Sequence, residues 1–439
     1  MSAERWANRK LHFIAIGGAG MSGLALVAHR LGAKVTGSDR AESGYLDRLR
    51  AAGLEPTVGH DADAVPDNAE IVVSTAIGPD NAELARARER GQAELHRGAL
   101  LAELCAEGRL IAVAGTHGKT TTTGMIVHAL RAIGADPTYF IGGELPGAGE
   151  DGGPANAGLG SGDLVVAEAD ESDASFLELR PEVAVVTNVE LDHHARWGSK
   201  AELFRAFAQF AAPAAGVVRG DDPALEMIVP SGARAEVFTE TEPGPSPLEL
   251  SVPGRHNALN ARAALGAIGL AGGDLDAAAA ALASFPGMLR RQELKGERSG
   301  ALVYDDYAHH PTEVRATLSA LRELRPKRLI AVFQPHLYSR TKALAGQFGA
   351  ALAAADEVGV LDVYAAREEP VGPLEGVSGL SVARAAADHG GGRRVMWLGD
   401  RETACRVLGS RISDGDLLVT IGAGDVFKLA EDLVEGTTR

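Results

Sequence analysis

Residues 114–123 read AGTHGKTTTT, a stretch suited to holding a triphosphate. Gly115 and Gly118 let the backbone wrap an anion, Lys119 can reach terminal phosphates, and the Thr120 hydroxyl can ligate Mg²⁺. Thr116, His117 and Thr121 complete the loop. The spacing G-x-x-x-x-G-K-[ST] does not fit, because Val113 stands where its first glycine belongs; the loop has the shorter form G-x-x-G-K-T. Two acidic clusters follow apolar runs: VVAEADESD brings Glu168, Asp170, Glu171 and Asp173, and TNVELDHH brings Asp192, His193 and His194. Parallel strands deliver their C-terminal ends to one edge, so one carboxylate is expected beside the phosphates as a metal ligand. Two or three of the other acids are expected to be solvated loop residues.

A second anion loop precedes this one. IGGAGMSG carries G-x-G-x-x-G at Gly18, Gly20 and Gly23, follows a strand pattern and opens a helix. Asp39 ends the next strand, where a ribose-binding acid would sit. The loop alone leaves three readings open: NAD or FAD, another nucleotide, or a tight structural turn.

Both loops need a strand before them and a helix after, and the chain supplies such units three times over. LHFIAIGG, RLIAVAGTHGKT and RLIAVFQPH are apolar runs followed by helical patterns, which predicts three α/β domains with mainly parallel sheets. The boundaries fall at 1–106, 107–286 and 287–439, in line with 439 residues at roughly 150 per domain. The segment from Asp221 to Pro253 is weakly patterned and reads as loop or short hairpin; IGAGDVFKLA reads as a strand-to-helix turn. With 43 basic against 59 acidic residues, the net charge of −16 argues against nucleic acid and anionic membrane as partners. Cys105 and Cys405 offer neither metal spacing nor a disulfide framework. The N-terminus lacks a signal-peptide pattern, and no apolar run is long enough to span a bilayer, so a cytoplasmic protein with no membrane insertion is expected.

Taken in order, HFIAIGGAGMSGLA, GSD, GTHGKTTTT, AEADESDASFL, TNVELDH, GRHNALNA, DDYAHHPTE and FQPHLYSRTK resemble the motifs of the Mur ligases, the ATP-dependent family that builds the peptidoglycan stem peptide. The resemblance covers nearly the whole chain and is most similar to the branch that adds L-alanine. It implies a Rossmann-like N-terminal domain for a UDP-sugar, a central P-loop domain for ATP, and a Rossmann-like C-terminal domain for the amino acid. The substrates implied are UDP-N-acetylmuramate, L-alanine and ATP, with Mg²⁺, in a monomer or homodimer.

Carried over residue by residue, the resemblance places Gly18, Gly20 and Ser22 on the UDP diphosphate, with Ser38, Asp39 and Ser74 nearby. Gly115 to Thr121 bind ATP, Asn257 and Asn260 match an adenine motif, and Arg291 and Asp306 reach ATP. Glu168, with Glu171 as reserve, joins Thr120 on the metal, and His193 matches a histidine for a second Mg²⁺. Lys119, His193, Arg291, His309, His310 and Arg340 form the implied catalytic set, with one histidine, not assigned, as base. The reaction implied passes through an acyl phosphate, which gives the carboxylate a leaving group.

The chain departs from the pattern at Asp192 to Ala195, where DHHA replaces DHMD, and at Leu337, where relatives carry arginine. A tripeptide-recycling ligase of the same family is the nearer alternative. A nicotinamide dehydrogenase is the remote one, since it leaves the second loop and its acids unexplained.

Overall fold

In the computed structural model, which describes residues 3–149, 151–190, 197–239, 248–366 and 368–436, the apolar runs become strands of three separate sheets. The chain divides into two units, the first Met1–Leu250 with Ala258–Pro286 and the second Ser251–Asn257 with Gly287–Arg439.

The first unit holds two sheets. β1 (Lys10–Ile14), β2 (Lys34–Asp39), β3 (Thr57–Val58), β4 (Glu70–Val73) and β5 (Glu94–His96) form an all-parallel sheet in the order 3-2-1-4-5. β6 (Arg109–Ala114), β7 (Thr138–Leu145), β8 (Ala155–Gly158), β9 (Leu164–Glu168), β10 (Val183–Val186), β11 (Gly216–Gly220) and β12 (Arg234–Phe238) form the other, in the order 12-11-10-6-9-7-8. Only β8 runs antiparallel to its neighbour. β10 is VAVV, buried along its whole length, and β6 and β9 are buried except at one terminal residue each, as central parallel strands covered on both faces must be.

These two sheets share one apolar cluster, which runs from Trp6 and Phe13 through Phe140 and Phe176 to Phe207 and Phe210. Phe176 packs against both of the last two, at ring distances of 5.3 and 5.4 Å. The helix Ala19–Arg30 lies close on β8: a Cβ added at Gly23 would stand 2.8 Å from the Ala157 Cβ, and Asn156 Nδ2 donates to the Ala19 carbonyl at 2.5 Å. The helix that the first glycine loop opens is therefore anchored to the edge of the sheet that carries the second. β12 was not legible as a strand in the weakly patterned segment 221–253. It pairs in parallel with β11 and is mostly exposed, so no alternation of burial marks it.

The second unit holds β13 (Glu293–Arg298), β14 (Ala301–Asp306), β15 (Leu329–Phe333), β16 (Glu357–Leu361), β17 (Arg394–Gly399) and β18 (Leu417–Ile421), in the order 13-14-18-15-16-17 with β13 antiparallel. β15 and β18 are wholly buried between two apolar clusters. The expected α/β fold class holds in all three sheets. Among the described residues, no helix is long and apolar enough to cross a membrane.

Candidate active site

β6 ends at Ala114 and the helix Lys119–Ala132 begins at once, leaving the loop between them as its N-terminal cradle. Gly115 and Gly118 have φ of +127° and +84°, and a Cβ at Gly118 would come 2.5 Å from Asn260 Oδ1. Neither position tolerates another residue without strain. The exit of β10 latches the loop from the side. Thr187 Oγ1 and Asn188 Nδ2 donate to the His117 carbonyl at 2.6 and 3.0 Å, and Asn188 Oδ1 accepts from the His117 N–H. The Thr116 hydroxyl donates to the Glu190 carbonyl and accepts its N–H, so Thr116 shapes the loop with its side chain. Thr121 is half-buried in the first turn of the helix.

Lys119 is folded back onto this loop. Its Nζ lies 2.6 Å from the Gly115 carbonyl, 3.2 Å from that of Thr116 and 2.9 Å from Glu171 Oε2. Burial alone would lower its pKa, but Glu171, Asp170 and Glu168 more than reverse this, and the group stays an ammonium. Glu168, at the end of β9, takes a different partner: Oε1 accepts from Thr120 Oγ1 at 3.1 Å and Oε2 from the Gly142 N–H at 2.7 Å. Two hard oxygens at that separation fit adjacent ligands of an octahedral Mg²⁺, whose bonds of about 2.1 Å set neighbouring oxygens about 3 Å apart. His193 and the DHHA departure lie outside the described residues.

In the first glycine loop, Gly18 caps the helix Ala19–Arg30 and the Gly17 N–H donates to Asp39 Oδ2 at 2.9 Å. The three serines expected here differ in setting. Ser22 is buried and its hydroxyl donates to the Ala19 carbonyl. Ser38 is fully buried; it donates to Glu83 Oε2 at 2.6 Å and lies 2.8 Å from His60 Nδ1, in a network that includes His12. Ser74 accepts from the Ala76 N–H in a turn. The hydroxyl protons of the first two are thus committed within the protein, which leaves their oxygens as acceptors.

A cleft of ≈ 200 Å³ within this unit runs from the first glycine loop's helix to Glu168, the partner of Thr120. Gly20 and Arg97 line it on one side, and Gly142, Asn156, Glu168 and Asp170 on the other. Arg97 is a residue that sequence reasoning missed. In HRGALLAEL it reads as an ordinary charge at a helix start, and its partner Asp173 is remote in sequence.

In the second unit, Arg290 and Arg291 both lie over the Tyr307 ring, at 5.0 and 5.2 Å. Arg290 is tied to buried Asp305 at 3.0 Å and to the Gly422 carbonyl, a structural post beside the half-buried Arg291. Asp306, expected beside ATP, is buried, and its two oxygens accept from the Gln292 and Ala308 N–H groups. It is a backbone clamp in this conformation. Asn257 donates to the Pro253 carbonyl at 2.7 Å. His310 caps the helix Pro311–Glu323 through Nδ1, in a capping box with Glu313. His309 Nδ1 lies 3.2 Å from the Tyr307 carbonyl, which makes that nitrogen the donor and leaves the Nε2 lone pair available. Arg340 contributes to holding His309 neutral, and Leu337 opens the helix Tyr338–Leu352 with φ of +68°, a strained setting for a branched residue.

Acid should loosen this unit. Burial, with Arg291 adding to it, lowers both His256 and His309 to about 4, so the unfolded chain binds protons first as pH falls from about 6.5 toward 4. Stability from both groups is present above pH 6.5 and is lost on the way to 4. Asp306, raised to about 6 by burial, acts in the opposite sense over the lower part of that window. Asp305, also raised by burial, acts with Asp306, so the loss is steepest between about pH 6.5 and 6, where the two histidines act alone. Hydrogen exchange of β14 and β15 at pH 7 and pH 5 checks it; equal protection at both would refute it.

Three family models match the chain: "Mur ligase family, catalytic domain" over residues 10–109, "Mur ligase middle domain" over 113–238, and "Mur ligase, glutamate ligase domain" over 290–424. The chain is 46% identical to a UDP-N-acetylmuramate–L-alanine ligase of Rubrobacter xylanophilus, covering 97% of this chain and 99% of that one. It is 44% identical to the ligase of the same name from Mycolicibacterium vanbaalenii, covering 97% and 96%. A crystal structure of a UDP-N-acetylmuramate-alanine ligase from Thermotoga maritima superposes with a TM-score of 0.82 at 29% identity, over 97% of this chain and 98% of that one.

Proposed function

The chain belongs to the Mur ligase family, and we propose that it joins L-alanine to the lactyl carboxylate of UDP-N-acetylmuramate at the expense of ATP, through an acyl phosphate. The observation that carries this reading is the cleft that runs from Gly20, on the first anion loop, to Glu168, beside the second. A sugar nucleotide with its diphosphate at one end would present its carboxylate at the other, beside Glu168 and its partner Thr120.

In this reading, residues 1–106 hold the UDP-sugar, 107–286 hold ATP, and 287–439 serve the amino acid. The substrate carboxylate attacks the γ-phosphorus and ADP leaves; the alanine amine then attacks the acyl carbon, phosphate leaves, and the amine gives up a proton. Lys119 exchanges its loop carbonyls for the phosphates and offsets the meeting of two anions. Thr120 and Glu168 are the residues that would hold Mg²⁺, which supplies further neutralisation of the phosphoryl oxygens. Asn260 supports the loop at Gly118. Of the two paired histidines, His309 is the candidate base, since its Nε2 lone pair is available and it is neutral at pH 7, whereas His310 is engaged as a helix cap. Arg291 and Arg340 are assigned to the nucleotide and to the amino-acid carboxylate.

Phosphate release from ATP, measured with UDP-N-acetylmuramate and each of L-alanine, L-serine, glycine and the tripeptide, tests the proposal. Release that requires both the sugar nucleotide and L-alanine supports it. Release with the tripeptide alone moves the chain to the recycling branch.

A further inference from the structure

Resting on the assignment of the first unit to a sugar nucleotide, we infer that Arg97 supplies the cation that holds its phosphates, and that Asp173 occupies this cation until they arrive. Arg97 opens the helix Arg97–Cys105 and points into the cleft. Its Nη1 stands 3.2 Å from where a Cβ on Gly20 would be, against the first turn of the glycine loop's helix. Its Nη2 lies 2.8 Å from Asp173 Oδ2 and 3.7 Å from Asp170 Oδ2. Among the described residues that line the cleft, Arg97 is the one cation, while Glu168 and Asp170 are both acids.

That imbalance needs an answer if a diphosphate is to enter. The N-terminus of a helix offers about half a positive charge, which does not match the two negative charges of a diphosphate beside two carboxylates. A guanidinium lying on the loop does, and its planar fork can take two phosphate oxygens. Asp173 behaves as the resident anion. Burial works to raise its pKa, and Ser175 and Arg97 more than reverse that, so it is ionised at neutral pH. The same short turn presents Glu171 to Lys119 at 2.9 Å. Residues 170–173 thus pair with the cation beside each anion loop.

Binding of UDP-N-acetylmuramate, UDP and uridine to the full-length protein, followed by titration calorimetry, tests the assignment. Arg97→Ala is expected to weaken UDP and UDP-N-acetylmuramate by about 10- to 100-fold and to leave uridine unchanged. Arg97→Lys, which keeps the charge and loses the fork, should fall between. Asp173→Asn should not weaken UDP, because it removes only the competitor. Should Arg97→Ala fail to fold, Arg97→Lys carries the comparison of UDP with uridine. Equal losses for UDP and uridine, or an Asp173→Asn loss as large as that of Arg97→Ala, would reduce the pair to architecture and overturn the inference. Unchanged UDP binding in Arg97→Ala with normal wild-type binding overturns it alone; failure of the wild type to bind UDP overturns the sugar-nucleotide reading with it.

Discussion

Lys119→Ala is expected to cut ligation by about 10³-fold or more, while the affinity for UDP-N-acetylmuramate stays within about twofold. The ammonium is the one positive group inside the phosphate loop, and it stays charged because three nearby carboxylates outweigh its burial. The substitution has a second effect that must be separated from the first. Glu171 is 2% exposed and bonded to Lys119, so removing the lysine leaves a buried acid without its counter-charge. The cost is about 3 kcal/mol, relieved in part when Glu171 takes up a proton. Lys119→Ala combined with Glu171→Gln removes that penalty. The double variant should therefore melt near the wild type and remain inactive. If either variant keeps activity within about tenfold, the loop does not act on phosphate as argued. If sugar-nucleotide affinity falls together with turnover, the two loops are not separate sites.

What the sequence could show, and what it could not, divides along a physical line. The two glycine loops were legible because each combines a buried strand, glycines that permit tight backbone and a following helix, all within a dozen or so neighbouring residues. Three α/β sheets followed from the same local signal. Contacts between distant residues left no such trace. Ser38 reads as a residue near the UDP-sugar; only the fold brings Glu83 and His60 to it and buries its hydroxyl with the Glu83 carboxylate. Asp306 looks like an exposed acid in a polar motif, yet the turn at Gln292 and Ala308 closes on it. Arg97 meets Asp173 and Gly20, each more than 70 residues away along the chain, only in the folded state. The continuous core that joins the first two sheets was hidden for the same reason, since each sheet alone reads as a complete unit.

The choice between Glu168 and Glu171 as metal ligand is where geometry adds most to sequence. Both acids stand at suitable places after β9, and spacing alone cannot separate them. Their partners do. Glu168 shares an edge with the Thr120 hydroxyl at 3.1 Å, which suits two ligands of one small cation. Glu171 would have to give up Lys119 and admit a doubly charged ion beside an ammonium, at a place where burial already raises its pKa against the pull of Lys119. Glu168→Gln is therefore expected to lower kcat by about 10² to 10³ and to shift the Mg²⁺ requirement to higher concentration. Glu171→Gln should cost about tenfold, the effect of misplacing Lys119, with the Mg²⁺ requirement unmoved. Binding of Mn²⁺ in the presence of a non-hydrolysable ATP analogue gives a readout apart from turnover: lost in the first variant, kept in the second. The reverse pattern would hand the metal to Glu171 and leave Glu168 as a brace between the Gly142 N–H and the phosphate-loop helix.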